Sequence, residues 1–110
     1  MTPAEFVAMI AALEAHGLTA VKYGGLNDTF PRLVWREWAI SQDYADNRAW
    51  TEHTTIMADL YTKVDDDPAL AAFKGACRAA ELPFECDVDY DEASHVIHYA
   101  FRLRLEEDVM

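Results

Sequence analysis

The sequence predicts a two-layer α+β fold in the order α-β-β-β-α-β-β, with two helices packed on one face of a mostly antiparallel sheet. Three observations lead to it. Thr2-Pro3-Ala4-Glu5 is a capping box with proline at the first helical position. In "LYTKVDDDPAL", residues 60–70, a strand-like run meets three aspartates and a proline, which is how a second helix begins. From Phe84 onward, apolar and polar residues alternate through two segments separated by Glu92-Ala93, the pattern of a hairpin with one buried face.

Taken in order, the first helix places Phe6, Met9, Ile10 and Leu13 at spacings of three and four, and Gly17 ends it. His16 reads as a last-turn residue, where an imidazolium suits the helix dipole. A short strand follows from Leu18 to Tyr23, cut by Gly24-Gly25 and a polar loop through Asn27-Asp28. After Pro31, Leu33 to Ile40 forms a second strand rich in aromatic and β-branched residues. Ser41 to Arg48 reads as a polar connection. The third strand runs from Ala49 to about Thr62, with Trp50, Thr54, Ile56, Ala58 and Leu60 on its apolar side. A strand of that length projects beyond its sheet or bends.

The aspartates Asp65, Asp66 and Asp67 cap the free amides of the second helix, and their charge suits its positive end. Leu70, Phe73 and Cys77 give its buried stripe, and Pro83 lies beyond its end. In the hairpin, Phe84, Cys86, Val88 and Tyr90 alternate with Glu85, Asp87, Asp89 and Asp91. Pairing Asp91 with Ser94 sets Cys86 opposite Tyr99, Val88 opposite Ile97 and Asp87 opposite His98. The other face of the first hairpin strand is acidic. No repeat, low-complexity tract or linker divides the 110 residues, which read as one domain.

Composition narrows the function classes. A formal net charge of −11 argues against wrapping nucleic acid, because phosphate binding relies on Lys and Arg. An acidic wall beside DNA is compatible with it, since it repels phosphate and prevents sticking. No apolar run approaches the ~20 residues that span a bilayer, and the start lacks the pattern of a secretory signal, so a soluble, cytoplasm-made protein without membrane contact is expected. Cys77 and Cys86 fit no zinc spacing and read as small hydrophobes. Asp87-x-Asp89-x-Asp91 begins like a calcium loop, but Glu92 stands where glycine is needed and His98 where the bidentate glutamate belongs. His95 and His98 lie three apart, which on a strand puts them on opposite faces, and His53 is placed to pair with a neighbouring carboxylate. No phosphate loop, nucleophile elbow or Cys–His spacing is found. No enzyme activity, cofactor or metal is expected.

Phe30, Trp35, Trp38, Tyr44 and Trp50 crowd about twenty positions, more aromatics than a two-layer core absorbs. Trp35 and Trp38 differ in strand parity, so one of them should pack elsewhere, on another subunit or under a loop.

With these pieces in place the chain resembles the tail terminator, or tail completion, and head–tail joining proteins of long-tailed phages and prophages. The resemblance follows the chain in order: the helix ending at His16-Gly17-Leu18, the strand closing on Tyr23-Gly24, "FPRLVWREW", "YADNRAW", "ADLYTKVDDDPAL" and the closing "HVIHYAFRLR". Trp50 departs from it, where a smaller aromatic is expected. The resemblance implies a structural virion protein, assembled in the host cytoplasm and resident in the tail or neck. It implies a homo-oligomer, a hexameric ring that caps the tail tube protein, stops tube growth and meets the head connector or stopper protein. DNA passes through the ring as cargo. Tyr44, Asp46, Asn47 and Trp50 are then candidates for a subunit or tube contact, and Asp87 and Asp89 for the channel lining. Two other readings stand beside it: a head-side connector or stopper, and a monomeric acidic inhibitor that mimics nucleic acid.

Overall fold

A computed structural model describes residues 1–24, 28–45 and 49–109. Its elements are α1 (Pro3–Glu14), β1 (Thr19–Lys22), β2 (Arg32–Ala45), β3 (Ala49–Thr62), α2 (Pro68–Ala79), β4 (Phe84–Asp91) and β5 (Val96–Val109). The five strands form one sheet in the order β1-β2-β3-β5-β4. Among the described residues only the β1–β2 pair is parallel; the other three pairs are antiparallel. The expected class and element order are therefore what the chain adopts.

Local chemistry explains the helix ends. The Thr2 hydroxyl accepts from the Glu5 amide at 3.2 Å, and the Glu5 carboxylate accepts from the Thr2 amide at 3.1 Å. These bonds hold the Glu5 carboxyl below the usual carboxylate range. At the second helix Asp67 is the cap, its carboxylate accepting from the Ala69 amide at 2.9 Å. Asp65 accepts from the Asp66 amide, and Asp66 sits in the left-handed region at φ 56°, which turns the chain from β3 into α2. Gly17 takes φ 96° just after α1, a conformation that suits glycine. His16 lies one residue past the Ala15 cap of α1 and not in its last turn.

The core lies between the helices and one sheet face. Phe6, Ile10 and Leu13 of α1 and Phe73 and Cys77 of α2 are buried against Leu33, Trp35, Ile56, Ala58, Leu60, Phe101 and Leu103. Trp35 meets Phe6 edge-on at 5.2 Å between ring centroids, and Phe73 and Phe84 pack on Phe101 at 4.6 and 5.1 Å.

Three expectations need correction. Ser41–Ala45 is not a connection: β2 runs to Ala45, paired with β3 throughout. The polar residues there satisfy one another across the ladder, with Gln42 Nε2 donating to Glu52 Oε2 at 3.0 Å. The hairpin register is offset by two. Asp91 pairs with Val96, so Cys86 faces Phe101, Val88 faces Tyr99 and Asp89, not Asp87, faces His98. The turn is longer because the Asp91 carboxylate gathers the Ala93 amide (3.1 Å) and the Ser94 hydroxyl (2.7 Å), and His95 adopts φ 57°. An even offset keeps every side chain on its expected face. His95 belongs to that turn, not to a strand, and its Nδ1 lies 3.0 Å from Tyr90 Oη.

Candidate assembly surfaces

Element lengths alone create an overhang. The helices have 12 residues each, about 18 Å of rise. Strands β2, β3 and β5 have 14 each, about 46 Å extended. The sheet therefore outruns its cover, and the molecule measures 53 × 25 × 21 Å. Its radius of gyration, 15.2 Å, exceeds the ~13 Å of a compact chain this long.

The overhang is an arm of three strands, from Ala39, Thr55 and Arg104 out to Ala45, Ala49 and Val109. β1 stops at Lys22, beside Trp35, and β4 begins at Phe84, beside Leu103. Near the arm's root the Met1 carbonyl accepts from the Glu106 amide at 2.8 Å. A register shift between Glu37 and Ala39 marks the arm's start, and such a bulge raises local twist and re-aims a side chain. Trp38, within the bulge, is 60% exposed under the Arg36 guanidinium, 4.8 Å from its ring centroid. Trp35 is buried, so the parity argument sent one tryptophan inward and one outward.

On the helix side, the arm presents Ile40, Trp50, Glu52 and Glu107. Ile40 is 57% exposed, and Glu52 and Glu107 stand directly opposite each other on β3 and β5. On the side away from the helices, His53 is buried between two carboxylates, with Nε2 2.6 Å from Asp43 and Nδ1 3.6 Å from Glu106. Thr51 donates to Asp108 at 3.2 Å. That side bears Asp43, Glu106 and Asp108.

Further along the same open face the sign changes. Arg36 and Arg102 flank Met57 in one cross-strand row, and Arg104 is two residues on from Arg102. Strands are about 4.8 Å apart, so Arg36 and Arg102 stand about 10 Å apart at the backbone. Arg102 donates to Glu85 at 3.2 Å, a pair exposed to solvent. Beyond the arginines the face turns acidic again along the edge strand β4. Asp87 pairs with Ala100 and Asp89 with His98, and both carboxylates are exposed. The open face is banded, acid–base–acid, and not uniformly acidic.

At the far end a stack of rings closes the open face. The Arg32 guanidinium lies over Phe30 (5.0 Å) and Tyr61 (4.6 Å), and Tyr61 stacks on His98 at 4.6 Å and 13°. His98 Nε2 is 2.8 Å from Asp59. Burial, reinforced by Asp59, pushes the Tyr61 phenol above its usual range, with Arg32 opposing. Phe30, Arg32, Tyr61 and His98 border a hollow of about 470 Å³ that also touches Asp89 and Asp91. Among the described residues, no group of three or more His, Cys, Asp or Glu side chains is placed to hold a metal ion. No helix among the described residues is long and apolar enough to cross a membrane.

Of the residues singled out in the sequence, Tyr44 and Trp50 are a cross-strand pair at the end of the arm. Asp46 and Asn47 lie outside the described residues. Asp87 and Asp89 share the open face of β4, at the other end of the banded face from the arm. Sequence reading missed the arginine band. Its signal was half visible, because Arg102 and Arg104 alternate with Leu103 and Leu105. Their closeness to Arg36 depends on a β2–β3–β5 register that spans most of the chain.

No protein-family model matches this chain, and no curated protein does. Among solved structures, it is similar to a chain from the virion of a native gene transfer agent particle, with a TM-score of 0.50 and 16% identity. The likeness covers 89% of this chain and 84% of that one. At such an identity it speaks for the shared fold.

Proposed function

We propose that this protein is a structural virion-assembly subunit of the tail terminator, or tail completion, kind. It forms a ring, a hexamer by resemblance, that caps the tail tube, stops its growth and presents a surface to the head connector while DNA passes through. The observation that carries the reading is the arm: three strands continued well past the helices that cover them, with polar pairs built across both faces. A core does not require that extension, whereas a subunit reaching its neighbours does. The fold likeness to a chain of a gene transfer agent virion supports the same class, and so does the order of motifs along the sequence.

In this reading Tyr44 and Trp50, at the tip of the arm, contact a neighbouring subunit or the tube protein, together with Asp46 and Asn47. Asp87 and Asp89, on the exposed edge strand, face the channel, where negative charge lets DNA slide without sticking. A ring of this kind needs two different surfaces on each subunit. The banded open face and the arm supply them.

Deleting the gene from a genome that produces the particle tests the role. A terminator's loss gives overlong tubes without heads, seen by negative-stain electron microscopy. Normal tails beside heads that lose their DNA would instead identify a head-side stopper. Particles of normal form and yield would overturn both.

A further inference from the structure

Glu52 and Glu107 are cross-strand neighbours on the helix side of the arm, where their Cβ atoms approach to about 5 Å. Like charges set directly opposite each other destabilise a strand pair. Among the described residues no Lys or Arg pairs with either one, and Gln42 supplies Glu52 with a neutral donor. Beside them Ile40 is exposed, although Thr54 and Leu105 in its own row are buried. On the other side of the same sheet Arg36, Arg102 and Arg104 gather in two adjacent rows. They are three of the chain's 9 Lys and Arg residues, in a molecule of net charge −11. The helix side of the arm carries acid alone, and the open side, acidic at both ends, carries a basic band between them.

We infer that the helix side of the arm of one copy docks on the arginine band of the next copy. The inference rests on the ring reading above and specifies its subunit contact. Glu52 and Glu107 meet Arg102 and Arg104, with Ile40 packed against the neighbouring sheet beside Trp38 and Arg36. Because opposite sides of one sheet meet, the contact is heterologous and leaves a free arm and a free band at either end of any open chain of copies. It therefore propagates, and closes only when the rotation between copies closes a ring. An isologous pairing of arm on arm would instead bring four glutamates together.

Charge reversal with mixing tests this. One variant carries Glu52→Arg and Glu107→Arg, the other Arg102→Glu and Arg104→Glu. All four positions lie on sheet faces outside the core, and thermal melts of each variant check that it folds. Mass photometry at low salt should show each variant alone associating about tenfold more weakly than wild type, the scale of two reversed charge contacts. An equimolar mixture should recover assembly, since alternating copies restore both signs at every contact. Added salt should weaken the wild-type assembly. Wild-type rings with both variants unaffected would overturn the contact and leave the ring reading intact. Variants that fail alone and also fail when mixed would overturn the pairing. If the arginine variant assembles normally but loses retention on double-stranded DNA, the band serves phosphate and the inference falls. A wild type that stays monomeric and leaves tail tubes uncapped would overturn the ring reading itself.

Discussion

The helix-covered body and the three-stranded arm are built from the same strands, yet they obey different rules. In the body, β3 and β5 alternate strictly, with Ile56, Ala58, Leu60, Phe101 and Leu103 at or near zero exposure. In the arm the same alternation continues, but it sorts Ile40, Trp50 and glutamates on one side from His53 and its carboxylates on the other. Burial fixes the first region. Beyond the buried Thr54 and Leu105 at its root, cross-strand pairing of polar groups holds the second, and such pairs stabilise far less than a buried apolar side chain does. A region with that little packing is kept for what it touches.

The sharpest way to break the comparison is a pair of truncations. Phe101→Ala should cost about 3–5 kcal/mol in urea unfolding, because it empties the meeting point of Phe73 and Phe84. Ile40→Ala should cost less than about 0.5 kcal/mol in the isolated chain. Similar costs would mean that the arm is packed as tightly as the body. Asp67→Ala comes next, at about 1 kcal/mol, through loss of the cap bond to the Ala69 amide.

Most of this body could be read in the sequence, and the reason is local. Capping boxes, the aspartate–proline start and strict alternation each lie within a few residues, and they place α1, α2, β4 and the helix side of β3. The arm was legible only in part. Ser41–Ala45 looks like a loop because its residues are polar, and only their partners at Thr51, Glu52 and His53 make a strand of them. The hairpin offset escaped because the Asp91 side chain, not the backbone, sets the turn length. The arginine band escaped because two of its members are separated from the third by more than sixty residues. The same limit applies to Tyr44 and Trp50, whose pairing at the arm's end emerges from the register and not from their spacing.

Smaller effects sharpen the contrast between body and edge. Burial pushes the Cys77 thiol up to about 11 from 9.0, whereas Cys86, half-buried on β4, is raised too but with Lys74 opposing. Alkylation of the folded protein near pH 8 should mark Cys86 first and reach Cys77 only on unfolding, as peptide mass mapping would show. The sign for stability follows. The folded thiol stays protonated while the unfolded one ionises, so this contribution is complete below about pH 9 and is lost as pH rises toward about 11. The smallest effect lies at the hairpin turn. Hydrogen bonds from Ser94 and the Ala93 amide hold the fully exposed Asp91 carboxyl below its usual range. Its contribution is present above the usual carboxylate value and fades as pH falls through the lowered one. Ser94→Ala should raise that carboxyl in an NMR titration and leave the unfolding midpoint nearly unchanged.

Native mass spectrometry of the wild-type protein over a concentration series tests most directly whether the arm exists for assembly. The account predicts a hexamer, or a monomer–hexamer mixture without strongly populated intermediates, as a closed heterologous ring requires. A monomer at every concentration, or a dimer that never grows, would contradict it.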